Sequence, residues 1–97
     1  MREAQLRRKT KTYTIYDLVM DGFTFSVTYL NPHMSTIGHF HPYEEAYYFV
    51  KGGTGFMEID RKFSVAEGFI VVPSNDFHYV SNLGSSILTF LCAWKNR

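Results

Sequence analysis

Apolar and polar side chains alternate in short runs along most of the chain. The clearest run is FTFSVTYLN at residues 23–31, where a strand would separate apolar from hydroxyl side chains: Phe23, Phe25, Val27 and Tyr29 against Thr24, Ser26 and Thr28. No window keeps an apolar repeat of 3.6 residues; residues 2–11 come nearest, but their face is too polar to be buried. The pattern therefore predicts strands rather than amphipathic helices.

Clusters of glycine, proline and asparagine divide the chain into short predicted strands. These strands are residues 12–18, 23–31, 45–52, 54–60, 62–65, 69–72, 77–82 and 87–94. The short break at Gly52-Gly53 predicts that residues 45–52 and 54–60 form a hairpin. Eight or so short strands with frequent turns are typical of an all-β sandwich or barrel.

Length and composition fit this prediction. A chain of 97 residues is too short to enclose two cores, so one domain is expected. Aromatic residues make up 18% of the chain, and they suit a half-buried sheet better than a helix. Because a small domain leaves much of its surface exposed, we also expect it to pair with a second copy as a homodimer.

Charge is distributed unevenly between the start of the chain and the rest. Residues 1–11 carry Arg2, Arg7, Arg8, Lys9 and Lys11 against Glu3, a net +4, and the remaining residues carry −3. Such an arm can attract nucleic acid or a phosphate. Without interleaved aromatic residues or a helix-turn-helix pattern we expect a solvated terminus and no nucleic-acid partner. The predicted organisation is a basic arm at 1–11 and a barrel domain at 12–97.

Nothing in the sequence indicates export or membrane insertion. Cys92 is the one cysteine, so it has no partner for an intramolecular disulfide, and its apolar surroundings predict a buried side chain. No apolar run approaches the length of a membrane span, and none follows the basic start as in a signal peptide. We therefore expect a cytoplasmic protein without a membrane partner.

Three histidines and a glutamate stand at positions that predict a metal site. His39 and His41 lie two residues apart, so on a strand both imidazoles point to the same side. Glu45 opens the next predicted strand, and His78 begins another one far along the chain. A barrel would bring the four side chains into one interior.

Three imidazoles and one carboxylate suit one divalent first-row transition metal, namely Fe, Mn, Ni, Co or Zn. Sites of this kind often leave positions for water or substrate. The alternative is that each histidine is a hydrogen-bonded residue of a turn or core, but the four-residue set favours the metal. Glu44 is a rival ligand whose spacing fits less well, and we expect it in solvent.

The same residues resemble the two sequence motifs of the cupin family. The first motif is matched by His39, His41, Glu45 and Gly52, and the second by Gly68, Pro73, His78 and Asn82. Asn75 stands where a glycine is common, and asparagine tolerates the same left-handed backbone. The resemblance implies a single double-stranded β-helix, a jelly-roll-like barrel of about eight to ten strands, with the metal inside.

Within the cupins, the chain is most similar in motif to the archaeal cupin-type glucose-6-phosphate isomerases. The matching positions are Thr28, Thr36, Gly38, His39, His41, Glu45, Tyr47 and His78. The resemblance implies that Thr28, Thr36 and Gly38 bind the sugar phosphate beside the metal. It also makes Glu45, once displaced from the metal, or Tyr47 the catalytic base.

Two other functions are compatible with the same ligand set. Three histidines and a glutamate around Fe(II) can support a dioxygenase that cleaves a chelating diol. The chain could also be a metal-dependent binding protein for a small molecule, with no turnover; in that case a ligand would stabilise the fold but yield no product.

Overall fold

Antiparallel strands form the framework of the chain in the computed structural model, which describes residues 3–96. Within that range there are nine strands: β1 (Gln5–Lys9), β2 (Tyr13–Val19), β3 (Phe23–Leu30), β4 (Glu45–Phe49), β5 (Gly55–Ile59), β6 (Lys62–Val65), β7 (Gly68–Val72), β8 (His78–Asn82) and β9 (Leu88–Lys95). The prediction of a single all-β barrel is confirmed. Residues 3–96 contain no helix that could cross a membrane.

The strands form two sheets that enclose one core. The larger sheet has the order β1-β2-β3-β9-β4-β7, and the smaller has the order β6-β5-β8. Two isolated bridges, Ser35 to Ser81 and His39 to His78, add residues 35–39 to the free side of β8. The core side chains lie between the sheets: Leu30, Tyr47, Phe49, Met57, Ala66, Val72, Val80, Leu88, Phe90 and Cys92.

The predicted hairpin between residues 45–52 and 54–60 is wrong. β4 pairs with β7 and β9, whereas β5 pairs with β6 and β8. The residues between β4 and β5 carry the chain from one sheet to the other. A Cβ on Gly53 would lie 2.4 Å from Cδ1 of Leu88, so the Leu88 side chain would have to shift to admit it. Gly52 instead supplies a backbone φ of 106°, which glycine adopts readily, so the two glycines serve a crossing between the sheets and not a hairpin turn.

Strand β3 alternates as predicted, and its hydroxyl face is the one that points inward. Thr24, Ser26 and Thr28 are buried, while the aromatic side chains Phe25 and Tyr29 are about two-fifths exposed. Hydrophobic burial alone would favour the opposite orientation. The barrel interior is thus partly polar, and the outside of the larger sheet is apolar.

The basic arm is more ordered than the predicted solvated terminus. β1 pairs with β2 as the edge strand of the larger sheet, although all five of its residues are exposed. Ion pairing contributes to this order, because Nε of Arg7 lies 3.1 Å from Oδ2 of Asp17 on β2. Arg2, which belongs to the predicted arm, lies outside the described residues.

Asn82 fastens the turn after β8 to the end of β3. Its Nδ2 donates hydrogen bonds to the carbonyls of Leu30, Asn31 and Ser86 at 2.9, 3.2 and 2.9 Å, and its Oδ1 accepts one from the Gly84 N–H at 2.9 Å. The side chain is 1% exposed. Because every one of these partners is backbone, Asn82 supports the loop that closes this end of the barrel.

Candidate metal centre

His39 and His78 are brought together by a pair of backbone hydrogen bonds. The His39 N–H donates to the His78 carbonyl at 3.1 Å, and the His78 N–H donates to the His39 carbonyl at 2.9 Å. The two imidazole centroids lie 4.4 Å apart. The bridge therefore sets the distance between one ligand from each sequence motif.

His41 and Glu45 complete the cluster from the other side. Oε1 of Glu45 lies 3.1 Å from Nε2 of His41 and 3.3 Å from Nε2 of His78. The turn before β8 holds the segment in place, because Asn75 donates its N–H to the His41 carbonyl at 2.8 Å. Asn75 has a φ of 66°, the left-handed conformation that the sequence predicts.

The ligand atoms of His39, His41, Glu45 and His78 all lie within 4.8 Å of one another. The predicted set is therefore assembled, and Glu44 is exposed as expected. Oε1 of Glu45 and Nε2 of His78 are buried and lie within ion-pair distance, but they form no well-aligned hydrogen bond. A cation held between the carboxylate and the neutral imidazoles would satisfy both atoms. The residues thus fit a divalent metal.

Hydrogen bonds on the far side of two rings orient them for this role. Nδ1 of His78 lies 2.8 Å from the Asp76 carbonyl, and Nδ1 of His39 lies 3.2 Å from the Ile37 carbonyl. A carbonyl accepts only from a protonated Nδ1, so Nε2 of a neutral ring keeps its lone pair for a metal. The backbone therefore selects the tautomer that coordination requires.

Protonation also separates these two histidines. For His78, burial lowers the pKa, but the Glu45 carboxylate and the Asp76 carbonyl outweigh burial, so the pKa is raised. For His39, burial and the neighbouring His78 imidazole lower the pKa against the opposing Ile37 carbonyl. Of these two rings, His78 is therefore the more readily protonated, and a metal bound to its Nε2 would displace the proton.

A cavity of about 370 Å³ adjoins the cluster and is lined by three of its four residues, His39, His41 and Glu45. Thr28, Thr36 and Tyr47 line it, whereas Gly38 is not among the lining residues. A Cβ on Gly38 would lie 2.1 Å from Cζ of Phe77, so this glycine makes room for an aromatic ring. The predicted part of Gly38 in binding stays a prediction.

Thr36 and Tyr47 are already held by neighbouring groups. The Thr36 hydroxyl accepts a hydrogen bond from the Val80 N–H at 2.9 Å, which joins residues 35–39 to β8. Burial is the largest cause that raises the pKa of Tyr47 well above its ordinary value, followed by the nearby Cys92 and Glu45. Tyr47 is therefore a neutral phenol near neutral pH, suited to donate a proton or hydrogen bond.

The cavity is also lined by residues that the sequence analysis did not assign to the site, among them Arg7, Arg8, Tyr43 and Trp94. Tyr43 stacks on His41 with a centroid distance of 4.1 Å and an interplanar angle of 4°. Its position between the two ligands His41 and Glu45 is the signal that could have identified it. Trp94 lines the cavity, lies 6.3 Å from Tyr43 between ring centroids, and also packs against the core.

Comparison with known proteins agrees with the fold. The sequence model described as the Cupin domain matches residues 26–94. No curated protein matches the sequence. A cupin-2 domain protein from Rhodospirillum rubrum superimposes with a TM-score of 0.82 at 14% identity, over 99% of this chain and 70% of that one.

Two similar structures carry enzyme names. A predicted oxalate decarboxylase from Thermotoga maritima has a TM-score of 0.81 at 21% identity, over 98% of this chain and 95% of that one. Oxalate decarboxylase from Bacillus subtilis has a TM-score of 0.79 at 20% identity, over 92% of this chain and 27% of that one. At such identities the likeness establishes the fold alone.

Proposed function

Because the chain belongs to the cupin domain family, we propose that it acts on a small polar molecule with one divalent first-row transition metal. His39, His41, Glu45 and His78 would hold the metal. The observation that carries this proposal is the convergence of one ligand atom from each of these four side chains within 4.8 Å of one another. A volume of about 370 Å³ suits a small ligand rather than a polymer.

The proposed reaction is isomerisation of a sugar phosphate. The metal would supply Lewis-acid polarisation of the carbonyl group. Thr28 offers a hydroxyl on the cavity wall, where it can orient the sugar. Tyr47, held neutral, can donate to a sugar oxygen, and the Glu45 carboxylate can act as the base once it is displaced from the metal. These placements support the resemblance in motif to cupin-type isomerases.

The test is conversion of fructose 6-phosphate to glucose 6-phosphate by protein loaded separately with Fe, Mn, Ni, Co or Zn. We expect turnover with at least one metal. Replacing Tyr47 with phenylalanine removes one hydroxyl and should lower kcat by about 100-fold or more, the usual size of a lost proton-transfer group. Tyr79→Phe is the matched control, because Tyr79 contacts Glu58 on the smaller sheet and does not line the cavity.

A Tyr47→Phe variant with full activity would remove Tyr47 from the mechanism. If folded protein that is fully loaded with each metal shows no turnover of fructose 6-phosphate, this substrate is ruled out. Oxygen consumption with an enediol would then indicate the dioxygenase, and stabilisation by a ligand without product would indicate a binding protein.

A homodimer is the second part of the proposal, and the outside of the larger sheet supports it. The strand register aligns one row of side chains across all six strands: Leu6, Tyr16, Val27, Leu91, Tyr48 and Phe69. The next row contains Leu18, Phe25, Ala93, Ala46 and Val71. All eleven positions are apolar or aromatic. Two such faces can pack as aligned sheets about a twofold axis.

Leu91→Asp places a charge at the middle of this surface and should convert a dimer into a monomer of 11.3 kDa. Sedimentation equilibrium measures the mass directly. Val65→Asp is the control, because Val65 is 69% exposed on the smaller sheet. Wild-type protein that sediments as a monomer, or a Leu91→Asp variant that stays dimeric, would contradict this interface.

A further inference from the structure

A β-bulge in the first strand turns two successive arginines toward the cavity. In the pairing of β1 with β2, Leu6 faces Tyr16 and Arg8 faces Ile15, so Arg7 is the extra residue. In a regular strand, neighbouring side chains would point to opposite faces of the sheet. A bulge breaks that alternation, and such bulges are frequent beside functional sites. Here both Arg7 and Arg8 line the cavity that contains the metal ligands.

Arg7 is fixed by its neighbours. Its Nε lies 3.1 Å from Oδ2 of Asp17, and its guanidinium carbon lies 6.0 Å from the centroid of the Trp94 ring. Both contacts limit how Arg7 can move, and Asp17 balances its charge. Arg7 is therefore a positioning residue that shapes the wall beside Arg8.

Arg8 has no such compensation. Within residues 3–96 its guanidinium is in no ion pair or hydrogen bond, although it stands opposite Ile15 on the cavity side of β2. Glu45 is the only acidic residue that lines the cavity in the described part of the chain, and it belongs to the metal ligands. The β1 side of the cavity therefore carries a positive charge that no acidic neighbour balances, and a bound divalent metal would add to the positive field.

We infer that Arg8 binds the anionic group of the molecule whose other end approaches the metal ligands. This inference rests on the proposed function, and it names the substrate class as small molecules with a terminal phosphate or carboxylate. A guanidinium is suited to the role because its planar N–H groups can donate two parallel hydrogen bonds to an oxyanion. The cavity then favours a molecule that carries an oxyanion at the end near β1 and oxygen atoms at the end near the histidines.

The test is titration of inorganic phosphate, and separately of acetate, into metal-free protein at low ionic strength, followed by calorimetry. Removing the metal prevents the anion from binding as a metal ligand. We expect saturable binding of at least one anion, weakened about 10- to 100-fold in Arg8→Gln and less in Arg8→Lys. Binding of phosphate but not acetate would define the anion as a phosphate, and the reverse would define a carboxylate.

Lys9→Gln is the matched control. It removes the same charge from the next residue of β1, whose partner Thr14 lies on the outer side, and Lys9 does not line the cavity. Equal weakening by Lys9→Gln would show a general charge effect and overturn the inference, as would wild-type protein that binds neither anion. Failure of the proposed function would look different: no turnover, with anion binding intact and still sensitive to Arg8→Gln.

Discussion

Replacing His78 with alanine should abolish stoichiometric metal binding. His78 is 1% exposed, and it links the metal cluster to β8 through its backbone bridge to His39. Losing a residue that merely hydrogen-bonds to a metal ligand already costs about 10- to 100-fold in affinity. Losing a ligand should cost more, because three donors would remain and Oε1 of Glu45 would still lie buried without its neighbour.

The measurement combines metal content with thermal unfolding. Wild-type protein should hold about one metal ion per chain, and a metal at 100 times its Kd should add about 2.7 kcal/mol to the free energy of unfolding. Metal should leave the Tm of the variant unchanged. His33→Asn is the control: His33 is an exposed residue with a φ of 62°, a conformation that asparagine tolerates. Metal-dependent stabilisation that survives in His78→Ala would contradict the four-residue site.

Adding a methyl group at position 55, by the substitution Gly55→Ala, should lower the free energy of unfolding more than the same addition at Gly84. A Cβ on Gly55 would lie 2.2 Å from the carbonyl oxygen of Ser81, which is fixed by the pairing of β5 with β8. The side chain of Leu88 stands 3.0 Å away and closes the other direction. Because backbone must move to relieve the overlap, we expect a loss of about 3 kcal/mol or more in the free energy of unfolding.

Chemical denaturation measures this loss, and Gly84→Ala provides the comparison. The nearest atom to a Cβ on Gly84 is Cβ of Thr54 at 3.4 Å, so the same methyl group fits there. We expect Gly84→Ala to change the free energy of unfolding by less than about 1 kcal/mol. Similar stability of the two variants would mean that β5 and β8 can separate at little cost.

The strands and the candidate metal ligands could be proposed from local patterns. The predicted strand 23–31 differs from β3 by one residue, since alternation and Asn31-Pro32 fix its end. Glu45 and His78 each begin a strand as predicted, whereas His39 and His41 lie in the segment between β3 and β4, where an isolated bridge joins His39 to His78. The barrel brings the four side chains together.

Pairing between strands could not be predicted in the same way. The partner of β4 is decided by packing between distant segments, so the short Gly52-Gly53 break misled the hairpin prediction. Alternation in β3 predicts that apolar and hydroxyl side chains lie on opposite faces of the strand. It does not identify the face that points into the barrel. The inward turn of Thr24, Ser26 and Thr28 depends on what the cavity contains and on what covers the outer face.

The structure of the basic arm could not be predicted from its sequence either. A basic stretch can be a solvated terminus or an exposed edge strand, and net charge does not separate the two. All five residues of β1 are exposed although they form a strand. The bulge at Arg7 arises from the register with β2, and that register is a property of the pair of strands.

The bridge between His39 and His78 also bears on how the chain folds. These residues lie 39 positions apart in sequence, and their two hydrogen bonds join segments that no local element connects. Contacts between residues so far apart in sequence slow the folding of β-proteins. The entropy cost of closing the loop comes before the favourable contacts that offset it. The site is therefore complete only in chains that have closed this loop. We expect an ion bound to these side chains to stabilise the closed loop against local opening.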